Sequence, residues 1–439
     1  MPDLLATRAM ANPGAAKFVR DKSVVLLFLQ GGPSQIETFD PKMTAPSEVR
    51  SINGETPTTL PGITFGATFP KLAALPDKLA VVRSFASENA DHQNYIKVSS
   101  GDNPLKVPMS TLYARLAGAV RRDSGLPDNT VILPEAVMPG LKLPSNFETQ
   151  SLQKLLTAGQ GLGATNAAFD PSGGNSTMES LKLSMPRDRF DDRRGLLAQL
   201  DSFKSQAEKT RAFDLANDFE VQAFDAIVGS ITSAFDLSKE DPKTIAAFDT
   251  SSLFTQAEVN KWHDMKRSSN QLGKQLLLAR RLCGAGCGYV TVMDAGWDMH
   301  CNNNSPPQLA GMKWPGAQLD HAVAAFLKDV TQRGLSDKIL LVVTGEMGRG
   351  PKRDKNGGRG HWANLTPLLL AGGGLKMGQV IGKSDSQAGS PASQKYTPQH
   401  LFGTVMRTLF DLNELRVKQG IPKYLIDMAV DSKAIPELF

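Results

Sequence analysis

Apolar residues fall in unbroken runs toward the two ends of the chain and in spaced stripes between them. SVVLLFLQGG (Ser23–Gly32) is a β-branched and aliphatic run stopped by Gly-Gly-Pro, and LAVVRSF (Leu79–Phe85) follows a helical-looking FPKLAALPDK. GYVTVMDAG (Gly288–Gly296), ILLVVTG (Ile339–Gly345) and TPLLLAGGG (Thr366–Gly374) repeat the pattern in the C-terminal third. A strand that is apolar at every position is buried on both faces, so these runs predict a parallel sheet covered by helices on each side. The clearest unit is strand 288–296, helix 316–333 and strand 339–345, a βαβ crossover.

Over 190–231 and 257–282 apolar residues recur at three- and four-residue spacing with polar faces between, which predicts helices. The second of these reaches a C-cap at Gly284. Thr157–Ser176 has no periodicity, is rich in Gly, Ser and Asn, and reads as a long loop. The expectation is a single three-layer α/β/α domain over 1–439 with a mostly parallel central sheet. Within it lie an N-terminal arm (1–20), N-terminal strands (22–101), a loop and helical insertion (102–285), and C-terminal βαβ strands (286–439) that carry the site.

Composition narrows the function classes. A chain of 439 residues, 41% hydrophobic and 21% charged, is that of a globular protein with a large core. Its 49 basic and 44 acidic residues nearly cancel to +5 without runs of like charge, which argues against nucleic acid as a partner. No apolar run is long enough to predict a transmembrane segment. The first residues lack the apolar segment of a secretory signal, so on the sequence alone the expected location is cytoplasmic. Cys283, Cys287 and Cys301 form neither a disulfide framework nor a usual zinc spacing.

In doubly wound sheets the site lies beyond the carboxyl ends of the strands. After the first run comes GGPSQIETFDPK with Ser34, Glu37 and Asp40, and after the second comes Asp91-His92. DAGWDMHCNNN follows the third with Asp294, Asp298 and His300, and GEMGRGPKRDKNGGRGHWAN follows the fourth with Glu346, Arg349, Lys352 and His361. Three of the six histidines therefore sit in loops after strands, each near a carboxylate. Imidazoles and carboxylates converging from separate loops suit a divalent metal, which polarises phosphoryl or sulfuryl oxygens. Arg349, Lys352 and Arg359 stand ready for an oxyanion, and GGPS could offer backbone N–H groups. His263, His321 and His400, on or beside helices, read as structural.

The order of these motifs resembles the sulfatase branch of the alkaline phosphatase-like superfamily, and more closely its bacterial DUF1501 family. LLFLQGGPSQIETFDPK, LAVVRSF with a following His, GWDMH, and TGEMGRGPK…GGRGHW…PLLLAGGGLKMGQVIGKSD carry the closer likeness. TGEMG stands where sulfatases place T-S-D-N-G or T-S-D-H-G, so Glu346 replaces a metal-binding Asp and Met347 its partner. Gln30-Gly31-Gly32 replaces the paired aspartates, and no C-x-P-x-R for formylglycine occurs. From the closer family's GGPSH-x-D and GRDHW, Gln35 and Gly360 each lose a donor. The resemblance implies an alkaline phosphatase-like fold and export to the periplasm.

Two readings result. In the first, the protein is a metal-dependent hydrolase of phosphate or sulfate esters that does not use formylglycine. Asp298, His300, Glu346 and His361 bind Zn, Mn or Ca, and His92 is a further ligand or acid/base. Ser34 or water attacks, and Arg349 and Lys352 hold a small anionic ester or a glycan-linked ester. The alternative is a non-catalytic cell-envelope binding or scaffolding protein that keeps the fold.

Overall fold

The computed structural model describes residues 18–121, 124–173 and 231–439. Seven strands build the central sheet: β1 (Ser23–Gln30), β2 (Ala80–Val82), β3 (Asn129–Ile132), β4 (Tyr289–Ala295), β5 (Ile339–Gly345), β6 (Leu368–Gly372) and β7 (Gln379–Ile381). Their spatial order is β7-β2-β6-β5-β1-β4-β3. Only β6 runs against the others, pairing antiparallel with both β5 and β2. The architecture is mixed α/β with a mostly parallel sheet, as the unbroken apolar runs predict.

All eight residues of β1 are buried, and their alternation feeds two cores. Val25, Leu27 and Leu29 join Leu276 of α4 (Leu272–Ala285) and Leu319 of α5 (Pro315–Gln332) on one face. Val24, Leu26 and Phe28 join Leu112 of α2 (Met109–Ala117) and Leu401 of α6 (Pro398–Leu409) on the other. Because successive side chains point to opposite faces, a strand with no polar position must be covered twice. The crossover β4–α5–β5 is present, with β1 seated between its two strands.

Several boundaries differ from the sequence expectation. The segment expected as an insertion contains β3, which pairs parallel with β4 at the sheet edge. Four residues, Asn-Thr-Val-Ile, are too few for a run to stand out. The helix expected over 257–282 breaks into Gln256–Val259, a 3-10 turn at Met265–Arg267, and α4. Asn270, in the irregular stretch before α4, donates its side-chain amide to Ser251 O and Phe254 O, at 2.9 and 2.8 Å, and so ties that stretch to the segment ahead of Gln256. His263 consequently lies exposed in a turn rather than in a helix. The C-cap of α4 is Gly286, at φ 118°, rather than Gly284. The helix expected over 190–231 falls almost wholly outside the described residues, as do part of the 157–176 loop and most of the N-terminal arm. Among the described residues no helix is long and apolar enough to cross a membrane.

Candidate metal centre

Register brings the loops together. Leu29 of β1 lies opposite Asp294 of β4 on one side and Gly345 of β5 on the other. The residues that follow, Gly31, Asp298 and Glu346, therefore leave the sheet side by side. His361 lies in the segment that joins β5 to β6, in a two-residue strand His361–Trp362 paired antiparallel with Gly348–Arg349, and since β6 is antiparallel its N-terminal end reaches the same edge. His92 opens a short 3-10 turn, His92–Asn94, whose N-cap Asp91 accepts from Gln93 N–H. The turn leads into α1 (Tyr95–Ser100).

Asp298, 8% exposed, is the hub. Its Oδ1 lies 2.8 Å from His300 Nε2, 3.2 Å from His361 Nε2 and 2.6 Å from Arg349 Nη2. Its Oδ2 lies 3.4 Å from His92 Nε2. The Nε2 atoms of His300 and His361 are 3.0 Å apart. One donor atom from each of His92, Asp298 and His361 falls within 4.8 Å of the others. His300 flanks this trio on the Arg349 side, with Arg349 Nη1 3.3 Å from its Nε2.

Two of the rings are held by their far nitrogens. His92 Nδ1 lies 3.0 Å from Glu346 Oε1, and His361 Nδ1 lies 3.1 Å from Ala90 O. Each acceptor favours a proton on Nδ1 and turns Nε2 toward Asp298, which is how metal-binding histidines are commonly oriented. Phe147 packs against the His92 ring with centroids 4.0 Å apart. Glu346 is fixed in turn: Gly31 N–H donates to its Oε1 at 2.8 Å, and Asn94 donates to its backbone O at 2.6 Å. Its Oε2 is buried without a hydrogen-bond partner.

The charges are strongly coupled. Burial alone would raise the Asp298 carboxyl, but hydrogen bonds from His300, His361 and His92 and the charge of Arg349 hold it far below the usual carboxylate range. Burial opposes a charged His92, yet its bonds to Asp298 and Glu346 carry it up to about 9. Beneath them Glu148 is fully buried and paired with Arg267. Burial lifts Glu148 to about 8 against the pull of Arg267, with Asp298 and Glu346 pushing the same way.

Of the residues singled out from the sequence, Asp298, His300, His361, His92 and Arg349 converge, and Glu346 contacts the group through His92. Glu346 pairs with neither Arg349 nor Arg359. Arg359 instead forms a fully buried pair with Glu37 at 3.0 Å, which ties down the loop ahead of His361. Ser34 is buried: its Oγ accepts from Glu37 N–H at 3.3 Å, and among the described residues it bonds to none of the three histidines. Lys352 is exposed. The Gly31 N–H group is spent on Glu346 and not open to an anion. Gly31 and Gly32 have φ of 114° and 87°, and a Cβ on Gly31 would stand 2.3 Å from Asp298 N. A side chain there is excluded both by space and by backbone. Glu148, Phe147 and Arg267 carried no sequence signal, because they lie on or beside helices whose pattern is accounted for by packing.

The residues fit a divalent cation. Three imidazole nitrogens and a carboxylate form a zinc-type donor set, and two rings carry orienting acceptors. The orphaned Glu346 Oε2 supplies further negative charge at the buried wall. The competing feature is Arg349, already bonded to Asp298 Oδ1.

Residues 21–439 match the profile of the family described as "Protein of unknown function (DUF1501)". No curated protein matches the chain in sequence. Among solved structures, the PsFucS1 sulfatase from Pseudoalteromonas sp. is 13% identical with a TM-score of 0.30, covering 84% of this chain and 66% of its own. This chain thus spans just under two thirds of that sulfatase. The C-terminal periplasmic domain of EcEptC from Escherichia coli, solved in complex with Zn, is 10% identical with a TM-score of 0.30, covering 91% and 86%. The phosphonate monoester hydrolase SpPMH from Silicibacter pomeroyi is 13% identical with a TM-score of 0.30, covering 94% and 76%. Likeness at that level carries no functional argument. The family profile, by contrast, takes in everything from residue 21 onward. The chain belongs to the DUF1501 family.

Proposed function

We propose that the protein is a metal-dependent hydrolase of phosphate or sulfate esters, of alkaline phosphatase-like type. The observation that carries this reading is the convergence of His92, Asp298 and His361 donor atoms within 4.8 Å at the carboxyl edge of the sheet. These three would hold a divalent metal such as Zn, Mn or Ca, His300 would complete the set from the Arg349 side, and Glu346 would orient His92. A bound cation supplies a Lewis acid that polarises a phosphoryl or sulfuryl oxygen. Asp298 Oδ1 cannot serve both a cation and a guanidinium at full strength. With a cation bound, Arg349 would present its charge to the ester oxyanion from its place beside Asp298, and exposed Lys352 would add a point charge. Among the described residues Ser34 Oγ bonds to none of the histidines that would take its proton, so water rather than Ser34 is the attacking group in this reading. The lack of C-x-P-x-R separates it from formylglycine sulfatases.

Protein stripped with chelator and reloaded separately with Zn, Mn or Ca tests the reading, with p-nitrophenyl phosphate and p-nitrophenyl sulfate as substrates. Metal-restored turnover of either ester supports it, and no turnover with any loaded ion overturns it. One observation favours a second reading, a non-catalytic binding protein of the cell envelope: Arg349 already neutralises Asp298 at 2.6 Å. Metal uptake without turnover of any ester would select that reading. The periplasmic location implied by the family resemblance belongs with either proposal, and fractionation of the native cells tests it.

A further inference from the structure

A cavity of ≈ 450 Å³ lies between α5 and the short helices Pro70–Ala73 and Pro242–Phe248. None of the residues placed at the metal centre lines it. Its floor is small, with Ala324 and Ala325 on α5 and Ala247 on the helix Pro242–Phe248. Three exposed ammonium groups, those of Lys71, Lys243 and Lys328, stand around that floor.

One of these cations is held by a neutral partner. His321 Nε2 lies 2.9 Å from Ala247 O, which places the ring proton on Nε2 and leaves Nδ1 as an acceptor. Lys71 Nζ lies 2.5 Å from that Nδ1. Burial, aided by the charges of Lys71 and Lys328, keeps His321 below the ordinary histidine value, although its bond to Ala247 opposes this. A neutral imidazole therefore fixes the Lys71 ammonium without cancelling its charge. Lys328 follows His321 by two turns of α5, about 10 Å of rise, with Ala324 and Ala325 on the turn between them.

The neighbouring acids are committed elsewhere. Asp329 is shared between Arg280 and Arg333, at 2.7 and 2.9 Å. Asp241 accepts from Thr244 N–H at 3.2 Å as a helix cap. Asp320 accepts from the backbone N–H groups of Lys71 and Leu72, at 3.0 and 2.8 Å. Among the described residues none of the three lysines forms an ion pair. Like charges gathered around one concave wall focus the field and draw in anions. Lysines meet phosphoryl oxygens as point charges, without the planar fork of arginine. Phe248 at the floor is 0% exposed, so it offers no ring face to a stacking base. Recognition there is by charge, and cations at the two ends of the groove match an anion charged at both ends.

We propose that this cavity is a second anion site, separate from the metal centre, which takes a diphosphate group. Lys71 and Lys328 hold its two ends, and Lys243 closes on it from the neighbouring helix. The site uses no residue of the hydrolase reading and stands or falls without it.

Isothermal titration calorimetry on the chelated full chain, at constant ionic strength in chloride buffer, tests it with inorganic pyrophosphate, inorganic phosphate and methyl diphosphate. One pyrophosphate should bind per chain, at least tenfold more tightly than phosphate. Equal binding of methyl diphosphate supports a diphosphate ester as the occupant, and binding of pyrophosphate alone supports the free anion. Lys71→Gln and Lys328→Gln should each weaken pyrophosphate at least tenfold, whereas Lys423→Gln, a surface lysine outside the cavity, should leave it unchanged. Circular dichroism checks each fold, and Lys243→Gln replaces any variant that fails. The proposal is overturned if wild type binds no pyrophosphate, or if binding survives in every folded cavity variant. It is equally overturned if phosphate binds as tightly, or if Lys423→Gln costs as much, which would mark a diffuse charged surface.

Discussion

Arg349 Nη2 sits 2.6 Å from Asp298 Oδ1, the same oxygen that faces His300 and His361. One buried carboxylate is thus claimed by a fixed cation and by the donor geometry of a metal site. Arg349 also donates to Gly32 O at 2.7 Å and to the carbonyls of Gly31, Trp297 and Arg359. It is therefore both a structural clamp and a competitor for the ion.

Replacing that clamp separates the two roles. Arg349→Lys keeps the charge but loses the fork, so buried carbonyls go unserved and the protein should lose about 1–3 kcal/mol, the cost of leaving buried acceptors unsatisfied. Urea unfolding of chelated protein measures the loss. Divalent metal should recover part of it, because binding to the native state alone stabilises by mass action. Equal losses with and without metal would contradict the competition.

Glu346 orients His92 and does not reach Asp298. Glu346→Gln keeps an acceptor for Gly31 N–H and His92 but weakens the hold on the ring. The expected outcome is metal affinity reduced 10- to 100-fold, the usual effect of losing an orienting partner, with stability nearly intact. Equilibrium dialysis gives the affinity, and an unchanged value would remove Glu346 from the site.

Glu37 and Arg359 form a pair in which both side chains are 0% exposed, joining the segment after β1 to the loop ahead of His361. Glu37→Gln should cost about 3–5 kcal/mol, since it leaves Arg359 buried without its counter-charge. Amide exchange should rise in the 350–362 loop more than in β1 or β5. Uniform loss of protection would mean that the pair stabilises the fold without positioning His361.

Asp294 gives a pH dependence with a definite sign. Burial raises its carboxyl to about 7, even though Trp297 Nε1–H donates to it at 2.8 Å. The folded state then holds a proton that the unfolded chain has released, from the ordinary carboxyl value of 3.8 up to about 7. Stability from this group is full below that window and falls as pH rises through it. Asp294→Asn keeps an acceptor for Trp297 and removes the titration. Its Tm relative to wild type should climb between pH 4 and 7 and level off above. A difference independent of pH would show that Asp294 ionises normally.

The sheet was legible because β1, β4 and β5 are mostly aliphatic and β-branched runs, and β4 and β5 flank a helical stripe that makes a crossover. Convergence of Asp298, His300 and His361 was legible because carboxyl ends of parallel strands share one edge. The antiparallel course of β6 was not, yet it is what brings His361 there from the N-terminal side. β3 was too short to be seen among loops, and the irregular stretch between Val259 and Leu272 interrupts a helix whose apolar spacing continues through it. The partners of Glu346 and Arg359 were hidden for another reason. Both are acids and bases near a site, and which of them pair depends on loop paths that no periodicity encodes. The Glu148–Arg267 pair lies in the stretch read as an insertion, where the helical spacing of α3 (Phe147–Thr157) masks an acid turned inward.

The central claim is that His92, Asp298 and His361 hold a divalent metal. Its most direct test is zinc binding to chelated wild type, Asp298→Asn and His361→Ala, followed by equilibrium dialysis and by X-ray absorption at the zinc edge. The account predicts one zinc per chain with nitrogen and oxygen donors at about 2.0–2.1 Å and imidazole scattering. His361→Ala should lose imidazole signal, and both variants should bind at least tenfold more weakly. Wild type that takes up no zinc, or variants that bind it as wild type does, would contradict the account.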